Sequence, residues 1–265
     1  MALDQLYLIG GRNKVDEAIE RIREYEPPEG YTLAFSGGKD SVVLMDLARK
    51  SGVLFDAHYC RTGIDPPELV KFIRENYPEV VAIPPIMNMW EGILKHGLPL
   101  RQRRWCCQYL KEHAGNGRVI LQGVRWAESA NRRRRWNIYT RYDPYRGSKV
   151  HGIKKWFCSP IIDWTDDDIW EYIRINNLKY CCLYDEGFKR IGCILCPFSQ
   201  GAALAREIER YPKIVEAYRR AANRYFERRG TGKMPSFKNG DDYFDWWLGR
   251  GSRYIEDEKL MFACF

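Results

Sequence analysis

The sequence predicts an α/β fold: a doubly wound sheet of about five mostly parallel strands, followed by a helical subdomain that carries cysteines. Three observations predict it. Short apolar runs alternate with amphipathic stretches through the first 165 residues. A glycine-rich turn, Ser36-Gly37-Gly38-Lys39-Asp40-Ser41, joins the first apolar run to a helix. After Thr165 the strand-sized runs stop and helical periodicity takes over. The expected domains are therefore residues 1–165, binding a nucleotide, and residues 166–265, helical and metal-binding.

Val15 to Tyr25 puts Ala18, Ile19 and Ile22 on one helical face, and Pro27, Pro28 and Gly30 stop that helix. Tyr31 to Phe35 is a short apolar strand, and Ser41 to Arg49 continues as a helix. Val53 to Tyr59 predicts a second strand. Pro66 to Asn76 predicts a second crossover helix with proline in its first turn. Val80 to Ile83, Arg118 to Gln122 and a run near Phe157 to Ile161 supply the remaining strands. Thr165 followed by Asp168 has the spacing of an N-cap with an acidic third position, ahead of apolar Ile169, Trp170, Ile173 and Ile175. Ala203 to Arg229 is a long basic helical region with Pro212 as its break point.

A chain of 265 residues with 45% hydrophobic and 14% aromatic content buries a substantial core, which excludes a disordered polymer. The net charge of +8 favours anionic partners such as nucleotides or nucleic acid, although a solvated basic surface has the same signature. The apolar runs are too short to span a bilayer, so no membrane association is expected. Met1 to Lys14 lacks the basic-then-apolar pattern of a secretory signal. A cytoplasmic setting is expected. There, nine cysteines point to metal or redox chemistry rather than disulfides.

The Ser36–Ser41 turn has the context a phosphate loop requires. Gly37 and Gly38 let the backbone turn sharply and approach an anion. The helix that follows offers free N–H groups and the positive end of its dipole. Ser36 and Ser41 add hydroxyls, Lys39 can neutralise charge developing on phosphates, and Asp40 can hold Mg²⁺. The turn is not a Walker A loop. Gly230-Thr231-Gly232-Lys233 fails that pattern too, with Glu227 at the first glycine position and Met234 after the lysine.

The hexapeptide resembles the signature of the PP-loop ATP pyrophosphatases, whose fold is of the adenine nucleotide alpha hydrolase-like kind. They cleave ATP between the α- and β-phosphates. From about residue 30 to 200 the chain further resembles the phosphoadenosine phosphosulfate (PAPS) reductase family. Thr62-Gly63 with Pro67-Glu68, Arg104-Trp105-Cys106-Cys107 with Leu110-Lys111, Gly123-Val124-Arg125 with Glu128-Ser129 and Arg132, and Pro160 to Thr165 with Asp168-Ile169-Trp170 match its segments in order. The resemblance implies ATP binding by Ser36, Gly37, Gly38, Lys39, Asp40, Ser41, Thr62, Gly63, Gly123, Arg125, Glu128, Ser129 and Arg132. It implies catalytic roles for Lys39, Asp40 and Arg125, with Arg125 and Arg132 on the phosphates. Two departures point away from sulfonucleotide reduction. The hexapeptide is intact, which is unusual in the reductases, and their C-terminal nucleophilic cysteine motif is missing, with only Cys264 in the tail. The chain is closer in logic to ATP pyrophosphatases that serve sulfur insertion, such as the subunit of DNA phosphorothioation systems.

Cys106-Cys107 and the distant Cys193-Ile194-Leu195-Cys196 form a second constellation. Four thiolates can bind zinc or an iron–sulfur centre. The resemblance implies a [4Fe–4S] cluster on Cys106, Cys107, Cys193 and Cys196. Zinc is the competing metal, with Cys181 or Cys182 joining Cys193 and Cys196 in a local knuckle. Cys60, Cys158 and a member of the 181–182 pair are candidates for buried thiols.

Arg101 to Arg104 and Arg132 to Arg135, the latter flanked by Trp126 and Trp136, are either solvated charge runs or a surface for DNA or RNA. The leading expectation is an enzyme that adenylylates an acceptor and releases pyrophosphate, with a partner such as a cysteine desulfurase delivering sulfur. Nucleic acid is the expected acceptor, and a homodimer is an open option. Sulfonucleotide reduction and a nucleotide- and cluster-binding sensor module are the alternatives.

Overall fold

The structure is a computed structural model that describes residues 13–115, 117–142 and 155–249. The chain forms two compact units, each drawn from separated stretches. The first comprises residues up to 61, 65–84 and 113–192, and the second residues 62–64, 85–112 and 193 onward. This division differs from the single expected boundary at residue 165. Residues 166–192 stay with the first unit because Ile169, Tyr172, Ile173 and Leu183 bury in its core. Residues 85–112 join the second unit because Met89, Ile93, Trp105 and Leu110 bury in the other core.

The first unit is built on a six-stranded sheet. Its strands are β1 (Tyr31–Ala34), β2 (Phe55–Cys60), β3 (Val81–Ile83), β4 (Val119–Leu121), β5 (Tyr139–Tyr142) and β6 (Lys155–Cys158). Their spatial order is β3-β2-β1-β4-β6-β5, all parallel except β5, which runs antiparallel to β6 at the edge. The expected five strands are present, and β5 is an addition. Leu33 of β1 lies opposite Ala57 of β2 on one side and Leu121 of β4 on the other. The chain leaves β1 for β2 on one flank, while β4 on the other flank is reached only later. The turn after β1 therefore opens at the point where strand order reverses, the crevice that open α/β sheets use for ligands.

Helices α1 (Lys14–Glu24), α2 (Lys39–Ser51), α3 (Pro67–Asn76), α6 (Ala130–Arg135) and α7 (Asp166–Ile175) belong to this unit. Helix α2 is buried along most of its length through Val42, Val43, Leu44, Met45, Leu47 and Ala48. Gly52 ends it in the left-handed region at φ 75°. Helix α1 is pinned by Arg21, whose two terminal nitrogens donate to the Asp163 carboxylate at 2.8 and 2.9 Å, one of them also reaching the Pro160 carbonyl at 2.8 Å. Helix α7 begins with the expected cap. Thr165 Oγ1 accepts the Asp168 N–H at 3.2 Å, and the Asp168 carboxylate accepts the Thr165 N–H at 2.7 Å.

The second unit is helical: α4 (Met89–His96), α5 (Trp105–Leu110), α8 (Gly201–Arg210), α9 (Pro212–Arg229) and α10 (Gly240–Trp247). The long basic stretch does break at Pro212, since proline starts α9 at the position where it has no N–H to lose. Gly92 of α4 gives way to the Trp105 ring, because a Cβ there would lie 2.0 Å from it. Among the described residues no helix is long and apolar enough to cross a membrane.

Candidate active site

The turn after β1 has a reason for each residue. Gly37 has φ 72°, and a Cβ on it would come within 2.8 Å of Leu69 and Ile73 of α3. Ser41 Oγ donates to the Gly38 carbonyl at 2.9 Å and accepts the Ser36 N–H at 3.2 Å. Ser36 Oγ lies 3.2 Å from Ser41 Oγ and accepts the Gly38 N–H at 3.4 Å. The two hydroxyls thus brace the turn from within. Gly38 is the N-cap of α2 and has no side chain to cap it. The Lys39 N–H is met instead by the hydroxyl of Tyr184, at 2.9 Å.

Charge around the turn is arranged in opposed pairs. Arg125 is 1% exposed. Its Nε donates to Asp40 at 2.7 Å, one terminal nitrogen to the Trp164 carbonyl at 3.1 Å and the other to Asp166 at 2.6 Å. Burial alone would lower this guanidinium, but Asp40 and Asp166 outweigh it and hold the group above its ordinary value. Lys39 Nζ lies 3.3 Å from Asp166 and 3.7 Å from Asp40, and it too is buried. Burial pushes the Asp166 carboxyl up, yet hydrogen bonds from Arg125 and Lys39 and their charges bring it below its ordinary value. Arg125 takes one oxygen of each carboxylate. The other oxygens fit the one or two carboxylates that Mg²⁺ takes beside phosphate.

Each of the three Arg125 nitrogens donates to a protein acceptor, which fixes the guanidinium beside Asp40 and Asp166. Gly123 lies against Asp40, and a Cβ on it would be 3.2 Å from that residue's backbone. Glu128 accepts the Arg125 N–H at 3.1 Å and pairs with Arg132. Ser129 caps α6 by accepting the Arg132 N–H at 3.2 Å. Burial lowers the Arg132 guanidinium, and the nearby charge of Arg190 adds to that against Glu128. Arg133, Arg134 and Arg135 are exposed. The sequence motifs pass over Asp166, Tyr184 and Arg190 as site residues. A carboxylate directly after the matched Trp164-Thr165, in the first turn of α7, is the signal that points to Asp166.

Thr62 and Gly63 belong to the second unit. There Thr62 is buried and accepts the Ile64 N–H at 3.2 Å, and the Ile64 carbonyl accepts the Ile194 N–H at 2.8 Å. Cys106, Cys107, Cys193 and Cys196 all fall in this unit. Cys106 is hydrogen-bonded to Cys107. That bond, burial and the neighbouring thiols of Cys107, Cys193 and Cys196 hold Cys106 well above the usual thiol range. The same bond lowers Cys107 to about 7, helped by Arg104 and Lys111 against its burial. Four thiols close enough to affect one another suit a thiolate-ligated centre. No group of three or more His, Cys, Asp or Glu among the described residues converges on a single ion. Cys181 and Cys182 lie in the first unit. Cys181 is buried and Cys182 exposed, and no disulfide joins the described cysteines. Cys158 is buried, which pushes its thiol up to about 12. Cys264 lies outside the described residues.

A family model described as the phosphoadenosine phosphosulfate reductase domain matches residues 30–199. The chain belongs to this family. Within reach of its sequence is adenosine 5'-phosphosulfate reductase 2 of Bacillus subtilis, 31% identical and covering 63% of this chain and 72% of that protein. The probable FAD synthase of Schizosaccharomyces pombe is 27% identical, over 70% of this chain and 68% of its own length. An uncharacterised protein of Methanocaldococcus jannaschii is 31% identical over 70% of this chain. The chain spans under half of that protein and of a second from the same organism, 46% and 43%. Among solved structures, Candida glabrata FMN adenylyltransferase with FAD and inorganic pyrophosphate has a TM-score of 0.50 at 14% identity, covering 92% of this chain and 73% of that one. That likeness is one of fold.

Proposed function

We propose that this family member binds ATP at the Ser36–Ser41 turn and transfers its adenylyl group to an acceptor, releasing pyrophosphate, as an activation step for sulfur transfer. The observation that carries the reading is the intact turn, with Lys39 and the Arg125–Asp40–Asp166 pairs already in place around it. The relatives named for FAD synthase and FMN adenylyltransferase support adenylyl transfer on this fold.

In this reading an acceptor nucleophile attacks the α-phosphorus. The bond to the oxygen bridging the α- and β-phosphates breaks, and that oxygen leaves with its electron pair on pyrophosphate. The acceptor's proton goes to solvent. The protein's share is positioning and charge stabilisation. The positive dipole end at the start of α2 draws phosphate oxygens. Lys39 offsets the charge growing on the leaving group. Arg125 keeps Asp40 and Asp166 fixed, and those carboxylates would hold Mg²⁺, which neutralises phosphate charge when bound. Arg132 donates through one terminal nitrogen to Glu128 and would meet phosphate with the rest of its fork. A sulfur donor, of the cysteine desulfurase kind, then attacks with the terminal sulfur of its persulfide, AMP leaves with the electron pair of the broken bond, and a dithiol reductant cleaves the S–S bond so that the sulfur stays on the acceptor. Nucleic acid is the proposed acceptor, engaged by exposed Arg133, Arg134 and Arg135. Cys106, Cys107, Cys193 and Cys196 would hold a [4Fe–4S] cluster, with zinc as the alternative. When bound, a cluster there would supply a compact, redox-capable anchor for the segments that carry these cysteines.

The likeness to an adenosine 5'-phosphosulfate reductase favours a second reading, reduction of a sulfonucleotide. The two separate by product. Pyrophosphate released from ATP in the presence of DNA or RNA supports the first. Sulfite released from a sulfonucleotide and a dithiol, with no pyrophosphate under any acceptor, supports the second and sinks the first.

A further inference from the structure

We infer that Tyr184 is a phosphate-contacting residue of this site: its hydroxyl accepts the Lys39 N–H and donates its own O–H outward in a hydrogen bond to an oxygen of the bound nucleotide's phosphates. The inference rests on the nucleotide reading above and adds to it a residue that no matched motif assigns.

A helix start leaves its first N–H groups without helical partners, and these are the donors an anion site uses. Here Gly38 cannot cap α2, and the hydroxyls of Ser36 and Ser41 face each other and the Gly38 carbonyl. The Lys39 N–H is met by a side chain far along the sequence, at 2.9 Å. A phenol accepts with one lone pair and still has a proton to donate. Among the described residues, no acceptor for that proton lies within hydrogen-bonding reach of Tyr184. Burial and the Asp40 charge raise the phenol above its ordinary value, so the proton stays on the oxygen at neutral pH. The surroundings are cationic, with Lys39 Nζ 5.9 Å from the ring centre and Arg190 near enough to act on the phenol. A spare O–H proton beside these cations is placed for an anion.

The ring is a fixed wall rather than a movable plug. It packs edge-on against Trp170 at 5.1 Å and Tyr180 at 6.3 Å, and it ends a single 3-10 turn, Cys182–Tyr184. A Cβ on Gly38 would stand 3.4 Å from the hydroxyl, so the turn and the phenol already touch. The effect is to move one donor outward from the backbone amide to the phenol oxygen.

The test is calorimetric titration of inorganic pyrophosphate, and of ATP, into the full chain and into Tyr184→Phe, with each melting curve measured alongside. Loss of one hydrogen bond to a charged group predicts binding weaker by roughly ten- to a hundredfold, with cooperative melting retained. Equal or tighter binding by Tyr184→Phe overturns the inference and makes the phenol a competitor of the ligand. No binding by the unmodified protein removes the nucleotide reading itself, and this inference with it. If Tyr184→Phe fails to fold, the amide resonance of Lys39 is followed in the unmodified protein as pyrophosphate is added. A small shift agrees with a retained phenol partner, and a large downfield shift, from a phosphate oxygen replacing it, overturns the inference.

Discussion

The phosphate-loop unit and the cysteine unit treat buried polar groups in opposite ways. Around the loop, opposite charges are matched before any ligand arrives. Arg125 and Lys39 face Asp40 and Asp166, and each serine hydroxyl has a partner in the turn. In the cysteine unit, like groups are brought together. Cys193 and Cys196 add to the hydrogen bond and burial that raise Cys106, and the three also raise the fully buried Tyr218 phenol after burial itself. The contrast teaches that the loop is preorganised by its own opposite charges, whereas the cysteine unit sets thiols beside one another. Four sets of variants sharpen or break that contrast.

The largest effect is expected in the cysteine unit. Anaerobically prepared Cys106→Ser and Cys193→Ser should lose nearly all bound iron and sulfide, while Lys39→Met keeps the full complement. Metal analysis that found zinc alone would replace the cluster, and unchanged iron in the serine variants would remove these ligands from the account.

Next comes Arg125. Truncation to alanine leaves Asp40 and Asp166 without their shared fork, at a cost of about 1–3 kcal/mol in denaturant unfolding, because the exposed Asp166 and half-buried Asp40 are partly screened by solvent. Lysine should restore little, because one ammonium cannot reach Asp40, Asp166 and the Trp164 carbonyl together. A near-neutral Arg125→Ala would mean that the loop is not organised by its ion pairs.

A smaller effect concerns acid stability. Asp168 is 0% exposed, and its carboxylate accepts from Lys14 at 2.6 Å. Burial raises this carboxyl, but Lys14 and Thr165 outweigh burial and hold it below its ordinary value. A depressed folded value means stabilisation that is present above the ordinary carboxylate range and is lost as pH falls through the folded value. Asp168→Asn should cost about 2–3 kcal/mol at neutral pH, the partly exposed Lys14 tempering the buried-pair figure, and should flatten the acid limb of the stability curve. An acid limb identical to that of the unmodified protein would contradict this assignment.

The smallest effect belongs to exposed Arg133, Arg134 and Arg135. Changing all three to alanine should weaken single-stranded DNA or RNA and reduce the log–log salt slope by roughly two to three, leaving ATP affinity unchanged. A slope that does not change removes nucleic acid from this stretch.

Much of the loop unit was legible in the sequence because local chemistry decides it. Apolar strands, the Gly37-Gly38 turn and the Thr165–Asp168 cap each report through neighbouring residues. Strand β5 was not legible. Tyr139-Thr140-Arg141-Tyr142 has no apolar run, and its edge position depends on stacking of Tyr139 with Tyr25 at 4.8 Å and with Trp156 at 5.4 Å. The division into units was hidden for a similar reason. Residues 85–112 and 193–249 share a core only through contacts distant in sequence, such as Trp90 against Tyr218. In the site, the glycines, Lys39 and Asp40 announce themselves. The partners that fix them, Asp166 and Tyr184, lie more than a hundred residues away, and neither announces a contact with the turn.

The central claim is that the preorganised loop grips ATP and lets its inner anhydride break. Pyrophosphate release from ATP and Mg²⁺, measured across nucleic-acid acceptors for the unmodified chain and for Lys39→Met, tests it most directly. The account predicts acceptor-dependent pyrophosphate that falls by about a hundredfold or more in the folded Lys39→Met protein. Release at the same rate by both proteins, or none from the metal-replete unmodified chain, would contradict it.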